Sequence, residues 1–290
     1  MTEEDPLSLD RIRNILVRLE DTIIFNVIER AQFAQNPRIY ERGAFSELKE
    51  LGFEGSWLQW FLKETESFHA KARRYTSPDE YPFSSGLPKP VLAPLDFPKI
   101  LYPNDINVNP SILSFYTRFF VPRITRHKSL SLAAFKRSKG IIGDAEYDDD
   151  GNYGSAATMD IEALQSISKR VHYGKFVSES KFQAHPGDFI PHILNRNIPA
   201  LEALITKPEV ERKLLQRLRK KAITYAQDFA PSGDTITDSH LNGSGKVDVD
   251  GVVELYENYI IPLTKEVEVE YLLHRLDGLS EEEIDELAKR

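Results

Sequence analysis

The sequence predicts an all-α protein, an elongated multi-helix bundle with no significant β-sheet. Apolar residues recur three and four positions apart over several long segments, which is the spacing of one helix face. No segment makes a convincing strand. Several predicted helices exceed 20 residues, against a usual length of roughly 11–12 residues. We therefore expect the bundle to share its core with a second copy of the chain, as a homodimer.

The first part of the chain contains two predicted helices and one long loop. Residues 8–35 form the first helix, with Ser8 or Asp10 as its N-cap. Residues 57–75 form the second helix. The stretch 77–110 holds eight of the 17 prolines. Because proline removes a backbone donor and fixes φ, this stretch is predicted to be an ordered loop.

The middle of the chain returns to helical spacing. A helix is predicted over 111–126, and its buried side chains should be Phe115, Phe119 and Ile124. The glycine-rich, acidic segment 138–155 is predicted to be an exposed loop that ends at a helix N-cap, Ser155. A long helix follows to about Phe182. Shorter helices should occupy 186–206, broken at three prolines: Pro186, Pro191 and Pro199.

The last part of the chain is again helical. Helices are predicted over 208–229 and 250–276, separated by a loop over 231–247. Ser280 and the three glutamates after it form a capping-box pattern, which opens a short terminal helix.

The final long helix contains an ambiguous stretch. Residues 265–271 alternate polar and apolar like a half-buried strand, whereas 271–276 have helical spacing. In a helical interpretation, one stripe is apolar at its ends and polar in its middle: Ile260, Thr264, Glu268, Leu272 and Leu276. The question is why a carboxylic acid, Glu268, lies within an apolar stripe.

Composition limits the possible functions. The chain of 290 residues can form one large domain or two small ones, and we assign 1–276 to a single helical domain and 277–290 to a tail. The net charge of −8 argues against nucleic acid as the main partner. The absence of cysteine excludes disulfides and thiolate sites. An acidic start and the lack of a long apolar run predict a cytoplasmic protein without a membrane span.

Three short motifs do not support a function. Residues 243–247 hint at a phosphate loop, but the required residues around the lysine are missing. The acidic stretches 146–151 and 248–251 lack the ligand spacing of a calcium loop. No two histidines have metal-binding spacing on a helix, and His172 is expected to be a hydrogen-bonded helix residue. The sequence therefore predicts no metal and no cofactor.

Charged side chains lie on otherwise apolar stripes of three predicted helices. Burying an unpaired charge costs several kcal/mol, so such groups need partners. Each one alone can be a long side chain that reaches the surface or a member of an internal salt bridge. Together they supply two arginines, one lysine and one glutamate, which suits a small dianion with an ether or carbonyl centre. The two arginines, the lysine and the glutamate are Arg13, Arg170, Lys181 and Glu268, and the same stripes also carry Glu20 and Thr264.

Three stretches carry a resemblance to a known family. Residues 11–25, 154–177 and 262–273 resemble the signature helices of the eukaryotic, all-helical chorismate mutases of the yeast type. The resemblance runs in order from about residue 9 to residue 276. It implies conversion of chorismate to prephenate in phenylalanine and tyrosine biosynthesis. This Claisen rearrangement needs no nucleophile, metal or obligatory proton transfer, so catalysis rests on holding a compact conformer and stabilising charge.

The resemblance also implies residue roles. Arg13 and Arg170 would each bind a substrate carboxylate, and Lys181 and a protonated Glu268 would donate to the ether oxygen. Desolvation gives Glu268 a route to the neutral acid. Lys207 stands where the family has asparagine, and it either binds a carboxylate or turns outward. The further roles belong to Glu211 on the substrate hydroxyl, Thr264 on a carboxylate, and Glu20 in orienting Arg170.

Regulation is a further implication of the resemblance. The family is activated by tryptophan and inhibited by tyrosine at a site between subunits. By resemblance, the effector would contact Arg73, Arg74, Asn152, Gly154 and Ser155. Asp248 stands where yeast-type enzymes have a threonine in the segment that transmits the signal. The competing hypothesis is a non-catalytic helical scaffold or effector-binding protein derived from the same fold.

Overall fold

The computed structural model describes residues 5–93, 95, 99–147, 149–226 and 248–289. Every regular element in this part of the chain is helical, which confirms the predicted all-α class. None of the described helices combines the length and the apolar character needed to cross a bilayer.

Fourteen α-helices are present in the described ranges. In chain order they are α1 Leu9–Ala31, α2 Ser46–Glu50, α3 Trp57–Lys71, α4 Asn109–Phe115, α5 Val121–Ile124, α6 Arg126–Ser138, α7 Tyr153–His172, α8 Gly174–Ala184, α9 Pro186–Leu194, α10 Ile198–Ile205, α11 Pro208–Ala226, α12 Val249–Leu255, α13 Ile261–Leu273 and α14 Glu281–Ala288. Two π-helical turns, Tyr116–Phe120 and Tyr256–Ile260, join α4 to α5 and α12 to α13.

The main apolar core lies where α1, α3, α4, α7, α11 and α12 meet. Helix α1 runs along α7 and buries Ile23, Ile24 and Val27 between them. Removing apolar side chains of this size from water stabilises a fold by about 1.5–3 kcal/mol each. A separate apolar cluster joins α8, α9, α10 and α13 near the C-terminal end of α8. The candidate site lies beside this second cluster.

The proline-rich segment before α4 is tied to the helices by buried polar groups. Glu66 accepts from the backbone N–H groups of Phe83 and Ser84, each at 2.7 Å. His172 Nε2 accepts from the backbone N–H of Val108 at 3.0 Å. His172 is therefore a hydrogen-bonded helix residue, as predicted. Lys175, which is fully buried, donates from Nζ to two oxygens of the same segment.

The π-helical turn after α4 overturns one predicted core position. Four-residue spacing places Phe119 beside Phe115, but Phe119 is 60% exposed while Phe120 is buried. The turn widens the repeat to five residues, so Phe120 takes the inward position. Phe115 and Ile124 are buried as predicted.

Helix boundaries differ from the prediction at several places, and the long helix predicted after residue 155 is divided into α7 and α8 at Tyr173. Helix α7 begins at Tyr153 with Asn152 as its N-cap, so the predicted N-cap Ser155 lies within the first turn. The reason is that the backbone already takes helical angles at Tyr153, without a side-chain cap. Pro191 lies inside α9 instead of breaking it, so α9 forgoes the one backbone hydrogen bond that an N–H at this position would donate.

The C-terminal part follows the predicted order. The stripe of Ile260, Thr264, Glu268, Leu272 and Leu276 is buried throughout, which settles the helical interpretation. Ser280 and Glu283 form the predicted capping box of α14. The predicted loop 231–247, the end of the helix predicted to residue 229, and the phosphate-loop-like stretch 243–247 lie outside the described residues.

Candidate active site

The candidate site begins where α8 and α13 touch. A Cβ atom at Gly174 would lie 2.9 Å from Cγ of Glu268 and 3.0 Å from Cγ2 of Thr264. Only glycine therefore permits the two helices to approach this closely. Ser178 Oγ donates to the backbone carbonyl of Glu268 at 3.0 Å and fixes the register of the contact.

Glu268 is the acid of the site. Its side chain is buried, and burial raises the pKa of its carboxyl group to about 7. The neighbouring cations Lys181, Arg170 and Lys265 act in the opposite direction, and burial outweighs them. The carboxyl group therefore exchanges its proton near neutral pH, as the apolar stripe predicts.

Lys181 faces the same space from α8. Its Nζ donates to the backbone carbonyl of Ile205, at the end of α10, at 2.6 Å. Burial lowers the pKa of Lys181, with Glu268 opposing and Lys207 adding to the shift. The ammonium group has three donors, and this bond uses one of them.

Arg170 supplies the most buried cation of the site. It is 5% exposed, and its Nε–H has no hydrogen-bond partner among the residues that the structure describes. Its Nη1 lies 3.4 Å from Thr264 Oγ1, and that hydroxyl donates to the carbonyl of Ile260 at 2.6 Å. The fully buried hydroxyl of Tyr256, within electrostatic reach of Arg170, also lacks a partner in the described part of the chain. Unpaired buried donors are costly, so this end of the site is prepared for an anion.

Glu211 is linked to the site by Lys265, a residue that was not predicted from the sequence to belong to it. It forms an ion pair with Lys265 at 2.7 Å, and both groups act on the pKa of Glu268. Lys265 precedes Glu268 by three residues, so their side chains are neighbours on the surface of α13, and this spacing is the signal in the sequence that marks Lys265. Lys207 is exposed but within electrostatic reach of Lys181.

Arg13 is not brought into the cluster. Its side chain is 67% exposed and pairs with Asp10 at 2.6 Å. The neighbouring side chains Ile12 and Leu16 point towards α8 and pack in the same small cluster as Val177. Arg13, one position after Ile12, is rotated by about 100°. Its guanidinium thus faces outward.

Glu20 has different partners from the one predicted. Both of its carboxylate oxygens accept from Arg217 of α11, at 2.6 and 2.9 Å, and Lys221 lies 3.3 Å away. The expected pairing with Arg170 is replaced because α11 crosses α1 and presents the Arg217 fork directly to the carboxylate. Glu20 remains buried, so the prediction that it faces inward is correct.

The predicted effector residues fall into two separate groups within one chain. Arg74 donates to Gln165 Oε1 at 2.9 Å, and Arg73 donates to the carbonyl of Ala93 at 2.8 Å. Ser155 precedes Gln165 by ten residues on α7, a rise of about 15 Å. Asn152, Gly154 and Ser155 lie at the accessible N-terminus of that helix. A small ligand that contacts both groups needs a second chain.

Comparison with known proteins shows the family of the chain. The model of the family "Chorismate mutase type II" matches residues 152–269. The chain is 41% identical to the chorismate mutase of Schizosaccharomyces pombe, covering 94% of this chain and 98% of the relative. It is 43% identical to the chorismate mutase of Emericella nidulans, covering 94% of each.

Solved structures give the same result. The Aro7p chorismate mutase of Candida albicans, determined in complex with L-Trp, superposes with a TM-score of 0.79 at 39% identity, covering 96% of this chain and 95% of that one. The chloroplast chorismate mutase of Zea mays gives a TM-score of 0.75 at 38% identity, covering 97% and 100%. With this identity over nearly the whole length of its relatives, the chain belongs to the type II chorismate mutase family.

Proposed function

We propose that this protein converts chorismate to prephenate. The supporting observation is the meeting of Arg170, Lys181 and Glu268 in one buried cluster whose most buried cation has an unpaired N–H group. In this rearrangement one ether C–O bond breaks while one C–C bond forms within the same molecule. The protein has to fold the substrate and stabilise the charge that develops on the ether oxygen.

Lys181 and Glu268 act on that oxygen. Two of the three donors of Lys181 remain after its bond to the Ile205 carbonyl. Glu268 donates as a neutral acid, and its pKa of about 7 keeps that form populated around neutral pH. A bound dianion raises this pKa further, because nearby negative charge disfavours ionisation. The acid therefore stays protonated when the substrate is present.

The carboxylates of the substrate are bound at the cationic end. Arg170 offers its unpaired Nε–H to one of them. Thr264 Oγ1 accepts a hydrogen bond from Arg170 and donates one to the Ile260 carbonyl. To donate to a substrate carboxylate instead, the hydroxyl must turn away from the Ile260 carbonyl. Arg13 leaves Asp10 to bind the second carboxylate, with Lys207 adding positive charge nearby. Steady-state kinetics of Arg13→Ala test this step, since an unchanged KM and kcat would contradict it.

Glu211 accepts a hydrogen bond from the substrate hydroxyl. Lys265 holds this carboxylate at 2.7 Å, so one of its oxygens remains available to accept from a hydroxyl group. Glu20 binds the α11 cations rather than Arg170, and it acts electrostatically on Tyr256, as Arg170 does.

Regulation and assembly complete the proposal. The separation of Arg73 and Arg74 from Asn152, Gly154 and Ser155 within one chain supports an effector site between two subunits of a homodimer. Tryptophan activates and tyrosine inhibits at this site. The exposed N-terminus of α7 carries a partial positive charge, which suits the polar end of an amino acid. The composition supports a cytoplasmic location.

Loss of the ultraviolet absorbance of chorismate tests the activity. Purified full-length protein, without added metal or cofactor, should consume chorismate and form prephenate. Absence of turnover at micromolar enzyme would favour the non-catalytic effector-binding alternative. Turnover with and without tryptophan or tyrosine tests regulation, and light scattering of the same sample tests the dimer.

A further inference from the structure

The C-terminal helix α14 packs against the apolar cluster that adjoins the candidate site. Ile284 and Leu287 point inward from α14, and Leu279 precedes them on the connecting turn. The cluster itself consists of Phe182, Phe189, Ile190, Ile193, Leu201, Ile205, Val269, Leu272, Leu273 and Leu276. The helix start is encoded locally, since Ser280 and Glu283 exchange capping hydrogen bonds of 2.8 and 3.3 Å.

Residues of this cluster adjoin both partners of one hydrogen bond at the site, the ammonium group of Lys181 and the carbonyl of Ile205. Phe182 directly follows Lys181 on α8, and Ile205 provides the carbonyl that accepts from Lys181 Nζ at 2.6 Å. Val269 directly follows Glu268 on α13. The acid and the lysine are therefore attached to the same apolar cluster from two different helices, and α14 covers its outer side.

We propose that α14 is a brace that positions Lys181 and Glu268 and keeps water away from them. The inference rests on the proposed mutase activity. Without α14, the apolar side chains of α9 lose their cover, α10, which packs on α9, gains freedom, and the Ile205 carbonyl no longer fixes Lys181. Pre-organised donors supply much of the stabilisation in a reaction of this type, and small misplacements cost large factors in rate.

A close backbone contact offers a selective probe of the brace. A Cβ atom at Gly187, in the first turn of α9, would lie 3.0 Å from the carbonyl oxygen of Ala288. Gly187→Val should therefore displace α14 from α9 without changing the sequence of α14. In a chain that lacks residues 280–290 the obstacle is gone, so the same substitution should be nearly neutral. The main core around α1 and α7 is a separate cluster and should remain folded in both cases.

The experiment compares the full chain, the chain without residues 280–290, and Gly187→Val in both backgrounds. Loss of the brace should lower kcat about tenfold or more. It should also shift the alkaline limb of kcat/KM to lower pH, because water entry returns the pKa of Glu268 towards its ordinary value. Hydrogen exchange over 198–205 should accelerate, and this readout does not depend on activity.

Matched variants separate positioning from folding. Ile284→Asp should reproduce the loss and Ile284→Leu should retain full activity, while Glu282→Gln on the exposed face should change nothing. If the truncated chain loses its helical circular dichroism, Gly187→Val and Ile284→Asp in the full chain provide the test. Unchanged kcat, pH profile and exchange on loss of α14 would overturn the brace. A full chain without turnover would refute the mutase activity, while the exchange measurement still tests the brace.

Discussion

Lys181 and Glu268 lie within electrostatic reach of each other, and burial moves both towards their neutral forms. It lowers the pKa of the ammonium group and raises that of the carboxyl group to about 7. The carboxyl group therefore passes from donor to anion near neutral pH. Perturbed pKa values of this kind, caused by burial and by a specific charged neighbour, cluster at functional sites.

Replacing Glu268 by glutamine should remove the alkaline limb of the activity profile. In the unaltered protein, kcat/KM should fall as the pH rises above about 7, because the carboxyl group then loses its proton. Glutamine donates at every pH, so Glu268→Gln should stay active at pH 8–9. Chorismate turnover between pH 5 and 9 measures this. Glu270→Gln, on the same helix, is the control, and a shared alkaline limb in all three proteins would refute a protonated Glu268.

Gly174→Ala should separate α8 from α13. The new Cβ atom meets Glu268 at 2.9 Å and Thr264 at 3.0 Å, and overpacking of this kind costs about 1–3 kcal/mol. We expect a lower melting temperature and a kcat reduced at least tenfold. Adding Thr264→Ser removes the contacting methyl group and should restore part of the stability. A single variant with unaltered kcat and melting temperature would contradict the close contact.

Arg170→Met should abolish most activity without destabilising the fold. Arg170 is 5% exposed and keeps an unpaired Nε–H, so the folded protein bears the cost of a desolvated cation. Removing it should leave the melting temperature unchanged or higher, while kcat/KM falls by a factor on the order of 10²–10³. Arg118→Met, an exposed change, is the control. A large loss of stability with retained activity would mean that Arg170 is structural.

Arg74→Ala should remove the response to effectors and retain basal activity. The guanidinium contacts Gln165 and Glu80, away from the cluster around Glu268. The ratios of turnover with and without tryptophan, and with and without tyrosine, should both approach one. Arg212→Ala, at an exposed ion pair on α11, should keep both ratios. Preserved ratios in Arg74→Ala would exclude Arg74 from the effector site.

Lys175 should make the stability depend on pH above neutrality. Burial lowers the pKa of its ammonium group from 10.5 to about 7. Between these values the unfolded chain holds the proton and the folded chain does not, so the free energy of unfolding should rise with pH from about 7 to 10.5. Below pH 7 this contribution is constant.

The Lys175→Met variant isolates this contribution. Urea unfolding at pH 6, 7, 8 and 9 should show a smaller rise for Lys175→Met than for the unaltered chain. Lys169→Met is the control, because the pKa of Lys169 is raised by Asp79 and Glu80 and lies above this window. Parallel curves for all three proteins would show that Lys175 does not titrate there.

The sequence predicts those parts of the site that depend on one helix. Thr264 and Glu268 lie one turn apart after the π-helical turn, so their shared burial follows from helical spacing alone. Arg170 and Lys181, predicted on one stripe of a single helix, instead lie on α7 and α8, so their approach depends on how these two helices meet at Tyr173. The prediction that Phe119 is buried is wrong because the spacing of apolar residues does not reveal the π-helical turn, which moves Phe120 inward.

Helical spacing does not predict which side chains of helices distant in the sequence contact each other. Glu20 binds Arg217 across 197 positions, and this pairing depends on how α11 crosses α1. Arg13 was expected to face inward because it is seven residues from Glu20. Its own turn, however, presents Ile12 to α8 and leaves the guanidinium to Asp10. Tertiary packing decides such choices, and helical periodicity carries no information about it.

The π-helical turn Tyr256–Ile260 has a consequence for how such a chain can evolve. Leu255 and Ile260 are both buried, five positions apart. Deleting one residue here would restore the regular repeat and rotate α13 by about 100° relative to α12. Thr264 and Glu268 would then turn off the α8 face with their identities intact. Substitutions can be sampled along this helix, whereas single-residue insertions and deletions should be purged from it.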